Sequence, residues 1–249
     1  MITLLTLAFA DADIAGAPCR EPFVSSTLPA AGAGDVPLDV APAFIWMDEC
    51  GMSGSFQFAL ERDGERLAEE RVDADGGLFG AGRLLLGEDL EADTEYLLVI
   101  TADGMDELTE VLFTTGSGYV QGAGDPELSG FLVDAWDRDD GRVGLSSMVD
   151  VTLGEDPDGL SLVLLLDPEG EVLGATDRDS RQYLYGTLDE LPEQYCVSAV
   201  QEDGSGVRGD AVEICAVPAV EEQGICSTTP LGASMLAGLF GLLLARRRD

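Results

Sequence analysis

The chain has 249 residues, with 13 arginines, no lysine, no histidine and 48 acidic side chains, a formal charge of −35. That balance excludes a nucleic-acid surface, which needs clustered cations, and the absence of histidine excludes Ser-His-Asp and Cys-His catalysis and any imidazole metal site. Hydrophobic residues make up 45%, so the chain is not a disordered acidic tail.

Residues 1–10 carry no charged side chain, and Ile2 to Phe9 match a short signal-peptide apolar region. Ala8-Phe9-Ala10 offers a cleavage site, so residues 1–10 are read as a signal peptide. A second small-residue site at Ala15-Gly16-Ala17 would extend it to 17. The alternative reading is a buried first strand or a start codon placed too late. Residues 11–225 hold 47 of the acids and 10 of the arginines.

Period-2 alternation runs through this acidic middle. Phe56, Phe58 and Leu60 alternate with Gln57, Ala59 and Glu61, which puts three apolar side chains on one sheet face. Strands are predicted over Val40–Trp46, Tyr96–Ile100 and Leu108–Thr115. In the second half they are predicted over Gly130–Trp136, Met148–Leu153, Leu160–Leu166, Glu171–Gly174, Gln182–Gly186, Tyr195–Val200 and Ala211–Val217. Asp-Gly pairs at 63–64, 75–76, 103–104, 140–141, 158–159 and 203–204 are turn signals between them. Many short strands at regular spacing predict an all-β chain of two tandem antiparallel sandwiches of Ig-like or fibronectin-III-like type. Leu90–Tyr96 and Leu188–Tyr195 repeat one layout, acidic turn residues leading to a strand-opening tyrosine, as in a tyrosine corner. The boundaries follow: a first domain over 20–117, a linker over 118–125 within the glycine-containing stretch that starts at Gly116, and a second domain over 126–218.

Three stretches stand out in the first unit: Leu28-Pro-Ala-Ala-Gly-Ala-Gly-Asp-Val-Pro-Leu38, Leu90 to Tyr96 and Phe113-Thr-Thr-Gly116. Through them the unit, over 22–117, resembles a bacterial Ig-like domain of the kind found in surface-layer and other exported proteins. It implies a structural or spacing role and no catalytic residues.

Five cysteines are present: Cys19, Cys50, Cys196, Cys215 and Cys226. Four of them allow three pairings once Cys226 is set aside, and spacing favours Cys19–Cys50 and Cys196–Cys215. The second pair has local support. The segment Tyr195 to Ala216 reads as a hairpin about Asp203-Gly204-Ser205-Gly206, and folding it between Ser205 and Gly206 sets Cys196 opposite Cys215.

The candidate calcium ligands are Asp134, Asp137, Asp139 and Asp140, with Glu155, Asp156 and Asp158 as a second acidic loop; oxygen-rich turns suit calcium. EF-hand spacing is not met, and the expected state is a solvated acidic turn with no metal or other cofactor. Trp46 and Trp136 are candidate sugar platforms, with a core position as the ordinary use of a strand tryptophan. No acid pair stands out as catalytic, and the chain is read as a non-enzyme.

Residues 219–230 form a second linker carrying Cys226. The stretch 231–245 is apolar, and Arg246, Arg247 and Arg248 follow. Those 15 residues rise about 23 Å as a helix against a hydrocarbon core of roughly 30 Å, and Ser227 to Pro230 extend it to about 28 Å. The arginine-rich end, 246–249, would remain cytoplasmic. This ending resembles the bacterial C-terminal sorting signals of the myxobacterial MYXO-CTERM type, with Gly224-Ile225-Cys226 in the place of the Cys motif. The resemblance implies cleavage near Cys226 and anchoring through it; the rival is a plain single-pass anchor. The sequence is therefore read as an exported, surface-anchored structural or interaction protein with an unidentified protein or glycan partner. Its alternatives are an adhesin or carbohydrate- or calcium-binding module and, third, a carboxylate hydrolase.

Overall fold

The structure is a computed structural model that describes residues 23–47, 54–74, 79–102, 108–138 and 140–220. The expected signal peptide, the apolar tail, Cys19, Cys50, Cys226, Asp139 and Arg246 to Arg248 lie outside the described residues. Among these, every regular element is a strand.

The first seven strands are β1 (Phe23–Leu28), β2 (Ala43–Met47), β3 (Gly54–Arg62), β4 (Glu65–Ala74), β5 (Phe79–Arg83), β6 (Glu95–Ala102) and β7 (Leu108–Thr114). They pair into two sheets, β1-β2-β5 and β4-β3-β6-β7. The next eight are β8 (Glu127–Asp137), β9 (Val143–Thr152), β10 (Leu162–Leu166), β11 (Val172–Thr176), β12 (Ser180–Leu188), β13 (Tyr195–Glu202), β14 (Val212–Ala216) and β15 (Ala219–Val220). Their sheets are β12-β9-β8-β15 and β11-β10-β13-β14. The two halves share one wiring, in which the fourth strand pairs with the third and not with the sheet of the first, second and fifth. Constant-type Ig domains put that strand on the opposite sheet.

Local chemistry explains the elements. Phe56, Phe58 and Leu60 all face the core. Asp63 (φ 52°) and Gly64 (φ 78°) form the two-residue turn from β3 to β4, and two consecutive left-handed residues are what a type I′ hairpin requires. Asp75-Gly76 and Asp103-Gly104 lie outside the described residues. β4 carries Glu65, Arg66, Glu69, Glu70, Arg71 and Asp73 at a sheet edge, where charge opposes further strand addition. β5 has glycines because Gly80 lies under the Trp46 indole and Gly82 under the Phe44 ring; a Cβ would come within 2.1 Å and 2.5 Å of those rings.

The motifs at the two ends of the first unit meet. Gly32 donates to the Leu112 carbonyl, Thr114 to Ala33, Val36 to Thr114 and Gly116 to Val36. The opening loop thus runs as an extra pairing along the end of β7. The tyrosine corner is present here: Glu91 N–H donates to Tyr96 Oη at 2.9 Å, and the Tyr96 ring stacks on Phe113. Tyr195 departs from the expected repeat. It opens β13, but its ring stacks on Phe131, and its hydroxyl makes no such bond to the preceding loop among the described residues.

Two apolar clusters form the core. One, in the second half, joins Phe131, Val133, Leu145, Val149, Val163, Leu165, Leu184 and Val197. The other fills the first sandwich and continues into the second half through Leu160, Leu162, Leu164 and Ala175. Alternate residues of β10 therefore face different clusters, and that strand is covered on both sides.

Candidate functional site

Two features rise above ordinary sandwich packing: the junction between the halves and the outer face of the sheet β12-β9-β8-β15.

At the junction, Arg83 ends β5 with its side chain only 9% exposed. Its Nε donates to Glu202 Oε2 at 3.1 Å, and its Nη1 donates to the carbonyls of Ala41 (2.8 Å) and Gly204 (3.1 Å). Burial pushes the Arg83 pKa down and the Glu202 carboxylate opposes that shift. Glu202, equally buried, also accepts from Arg208 Nε at 2.8 Å, so one carboxylate holds two guanidinium groups. Ala41 N–H donates to the Gly204 carbonyl at 2.8 Å. The turn that presents Gly204 is fixed from within: Asp203 Oδ1 accepts from the backbone N–H of Ser205 and Val207 and from the Ser205 hydroxyl.

The stretch read as a linker is a strap bound to both halves. Leu38 N–H donates to the Gly118 carbonyl, and Val120 N–H to Asp39 Oδ1 at 2.7 Å. On the other side, Gln121 N–H donates to Asp158 Oδ2 at 2.6 Å and Gly124 N–H to the Glu155 carbonyl.

The outer sheet face is different in kind. Along β8, Phe131, Val133 and Ala135 point inward, which turns Leu132, Asp134 and Trp136 outward. Cross-strand register sets Leu132 beside Met148 and Met148 beside Tyr183. It sets Asp134 beside Ser146 and Ser146 beside Tyr185, and Trp136 beside Gly144 and Gly144 beside Thr187. Tyr183, Tyr185 and Leu132 are 49%, 60% and 59% exposed. The Trp136 indole lies over Gly144, where a Cβ would sit 2.3 Å from it. At one end Arg181 grips Asp150 with two bonds, of 2.7 Å and 3.1 Å, which lower the Asp150 pKa and raise that of Arg181. A bulge lies beside that pair, between Ser129 and Leu132, where Gly130 takes φ 62°. Bulges re-aim the side chains that follow them, and this one sets the outward phase of Leu132, Asp134 and Trp136.

The sequence-derived candidates separate as follows. Cys196 and Cys215 face each other on β13 and β14 and are joined by a disulfide. Trp46 is core, packed against Phe44 and Phe56. Trp136 belongs to neither apolar cluster, so the ordinary core use of a strand tryptophan does not extend to it. Among the described residues, the acids do not converge. Asp134 is on the outer face, and Asp140 is drawn to Arg138 and accepts from Arg142 N–H. Asp156 caps the N–H groups of Leu160 and Ser161, and Asp158 is bound to the strap. Among the described residues, one group of three potential metal ligands lies within 4.8 Å, namely Cys196, Glu213 and Cys215, and both its sulfurs are in the disulfide.

No protein-family model and no curated protein matches the chain. Solved structures similar to it include the fibronectin(III)-like modules of Clostridium thermocellum CbhA, at 15% identity and TM-score 0.27, over 80% of this chain and 94% of that one. They also include the E. coli chaperone DraB, at 10% identity and TM-score 0.29, over 78% and 96%. A two-domain fibronectin type-III segment from chicken tenascin is a third, at 13% identity and TM-score 0.22, over 80% and 98%. The strand pairing itself establishes the sandwich fold. The sequence missed Arg83, Glu202, Tyr183 and Tyr185. For the tyrosines a signal existed, the alternation Arg181-Gln-Tyr-Leu-Tyr185 with its apolar partner Leu184 turned inward.

Proposed function

We propose that the chain is an exported, surface-anchored and non-catalytic protein that holds two β-sandwich modules as one stiff unit and presents a sheet face of the second as an interaction surface. The observation that carries the stiff-spacer role is the junction: a shared apolar cluster, a buried Arg83–Glu202 pair and a strap hydrogen-bonded on both sides. Interfaces of this kind suppress the relative motion that is otherwise expected between neighbouring modules. Export and anchoring are supported by the apolar start, by the Cys226 motif with its apolar, arginine-ended tail, and by the disulfide, which persists in oxidising compartments. In that reading the tail engages the membrane or the sorting machinery, and Cys226 carries the anchor.

Fractionation of cells that produce the protein, followed by protease added outside them, tests the placement. The expected outcome is membrane-associated protein whose acidic modules are digested from outside; full-length soluble cytosolic protein overturns it. Small-angle scattering tests the spacer role. A single rigid two-module envelope is expected, and a distribution of inter-module angles overturns it.

A further inference from the structure

We propose that the outer face of β12, β9 and β8 is a binding platform for a neutral polysaccharide, whose sugar rings stack on Trp136, Tyr185 and Tyr183. Rings of this type offer an apolar surface with a polar tip, which suits ligands that show both C–H faces and hydroxyls. Tyr183 and Tyr185 are two residues apart on one strand face, about 7 Å, and Trp136 stands two strands across and one step further along. Between them lie Ser146 and Asp134, hydrogen-bonding groups on the same face that reach hydroxyls from the sheet surface. The platform is a sheet face and not an enclosed cleft, so it suits a chain that runs across it more than a small molecule that needs a concave pocket.

Charge narrows the class of ligand. At −35 the protein repels anionic polymers, anionic membrane surfaces and a second copy of itself. On the platform, Arg181 is paired with Asp150, and Arg138, which bonds Thr187 beside the Trp136 row, is paired with Asp140. The aromatic rings are thus offered without a net cationic site that would draw a phosphate or a uronic acid. Trp136 is not used to complete the core, since neither apolar cluster includes it, and Gly144 opposite it leaves the space in which the indole lies.

The proposal rests on the interaction-surface part of the proposed function and not on export or anchoring, because binding is measured on purified protein. Native gels containing hydroxyethyl cellulose, laminarin, xylan, mannan or dextran, with alginate as the anionic arm, read retardation of the purified full chain. Titration of tryptophan emission gives the affinity, and of the two tryptophans Trp46 is buried, so the signal comes from Trp136. Retardation by at least one neutral polymer and none by alginate is expected. Trp136→Ala and Tyr185→Ala should each weaken binding by about tenfold, since a stacked ring combines its buried area with its specific contact. Tyr119→Ala, an exposed tyrosine of the strap, should leave it unchanged. Tyr185 is largely exposed on an edge strand, so its replacement separates loss of binding from loss of folding. Failure of every neutral polymer to bind, or binding unaltered in Tyr185→Ala and Trp136→Ala, overturns the proposal. Capture of a protein by this face in place of any glycan overturns it as well.

Discussion

Replacing Arg83 with methionine keeps much of the side-chain volume but leaves the buried Glu202 carboxylate with Arg208 as its cation. Arg208 still compensates part of that charge, so the variant should lose about 2 kcal/mol in urea unfolding, short of the full penalty for an unpaired buried ion. The double variant Arg83→Met with Glu202→Gln should lose less than the single one, because the charge goes with its partner. A second residue-scale expectation concerns Tyr195, whose pKa is raised by burial first and then by the charges of Asp167 and Glu169. A raised folded pKa means that its contribution is intact below the unfolded value of about 10 and is lost as pH climbs through the folded one. Tm should therefore fall as pH rises through the unfolded value of about 10, and fall less in Tyr195→Phe. Equal losses in the two proteins would mean that Tyr195 is solvated. At this scale the sequence was partly readable. Symmetry of a hairpin placed Cys196 against Cys215, because local pairing follows from local spacing. Arg83 and Glu202 are 119 positions apart, and no local rule joins them.

The bulge in β8 turns on one backbone conformation. Gly130 at φ 62° would, as alanine, take a left-handed angle and press its Cβ to 2.6 Å from Asp150 Oδ2. Gly130→Ala should cost about 1–2 kcal/mol and shift the outer face with it. Gly144→Ala acts on the neighbouring row: its Cβ displaces the Trp136 indole, and a red shift of tryptophan emission should report the movement, with unchanged emission counting against the described geometry. Strand existence was legible wherever apolar alternation was strong, as in β3, β6, β12 and β13. β4 and β5 were not, for opposite reasons. β4 is an edge whose charges hide the pattern, and β5 is thinned by glycines that make room for Trp46 and Phe44. β10 carried more than was read from it. Leu162-Val-Leu-Leu-Leu166 is an unbroken apolar run, and such runs mark strands covered on both faces. Here the second cover is the first module, so the junction had a sequence signal after all.

For the whole molecule, the shared cluster predicts one cooperative calorimetric transition, and two separated transitions would show that the modules unfold independently. The excess of acids predicts a rise in Tm with sodium chloride, as screening relieves self-repulsion. Replacing Cys196 and Cys215 together by serine should remove about 3 kcal/mol, the loop-closure value for a separation of 19 residues. The disulfide has a further consequence under mechanical load. β15 pairs through two residues alone, parallel to β8, and is the last described element of the chain. A pull applied beyond Val220 first peels that short ladder and then works back toward β14. Cys215 is covalently tied to Cys196, so the peeling halts after five residues, 216 to 220, an extension of about 17 Å. Past that point tension passes through the sulfur bridge into β13, at the centre of its sheet, and the module bears it as one body.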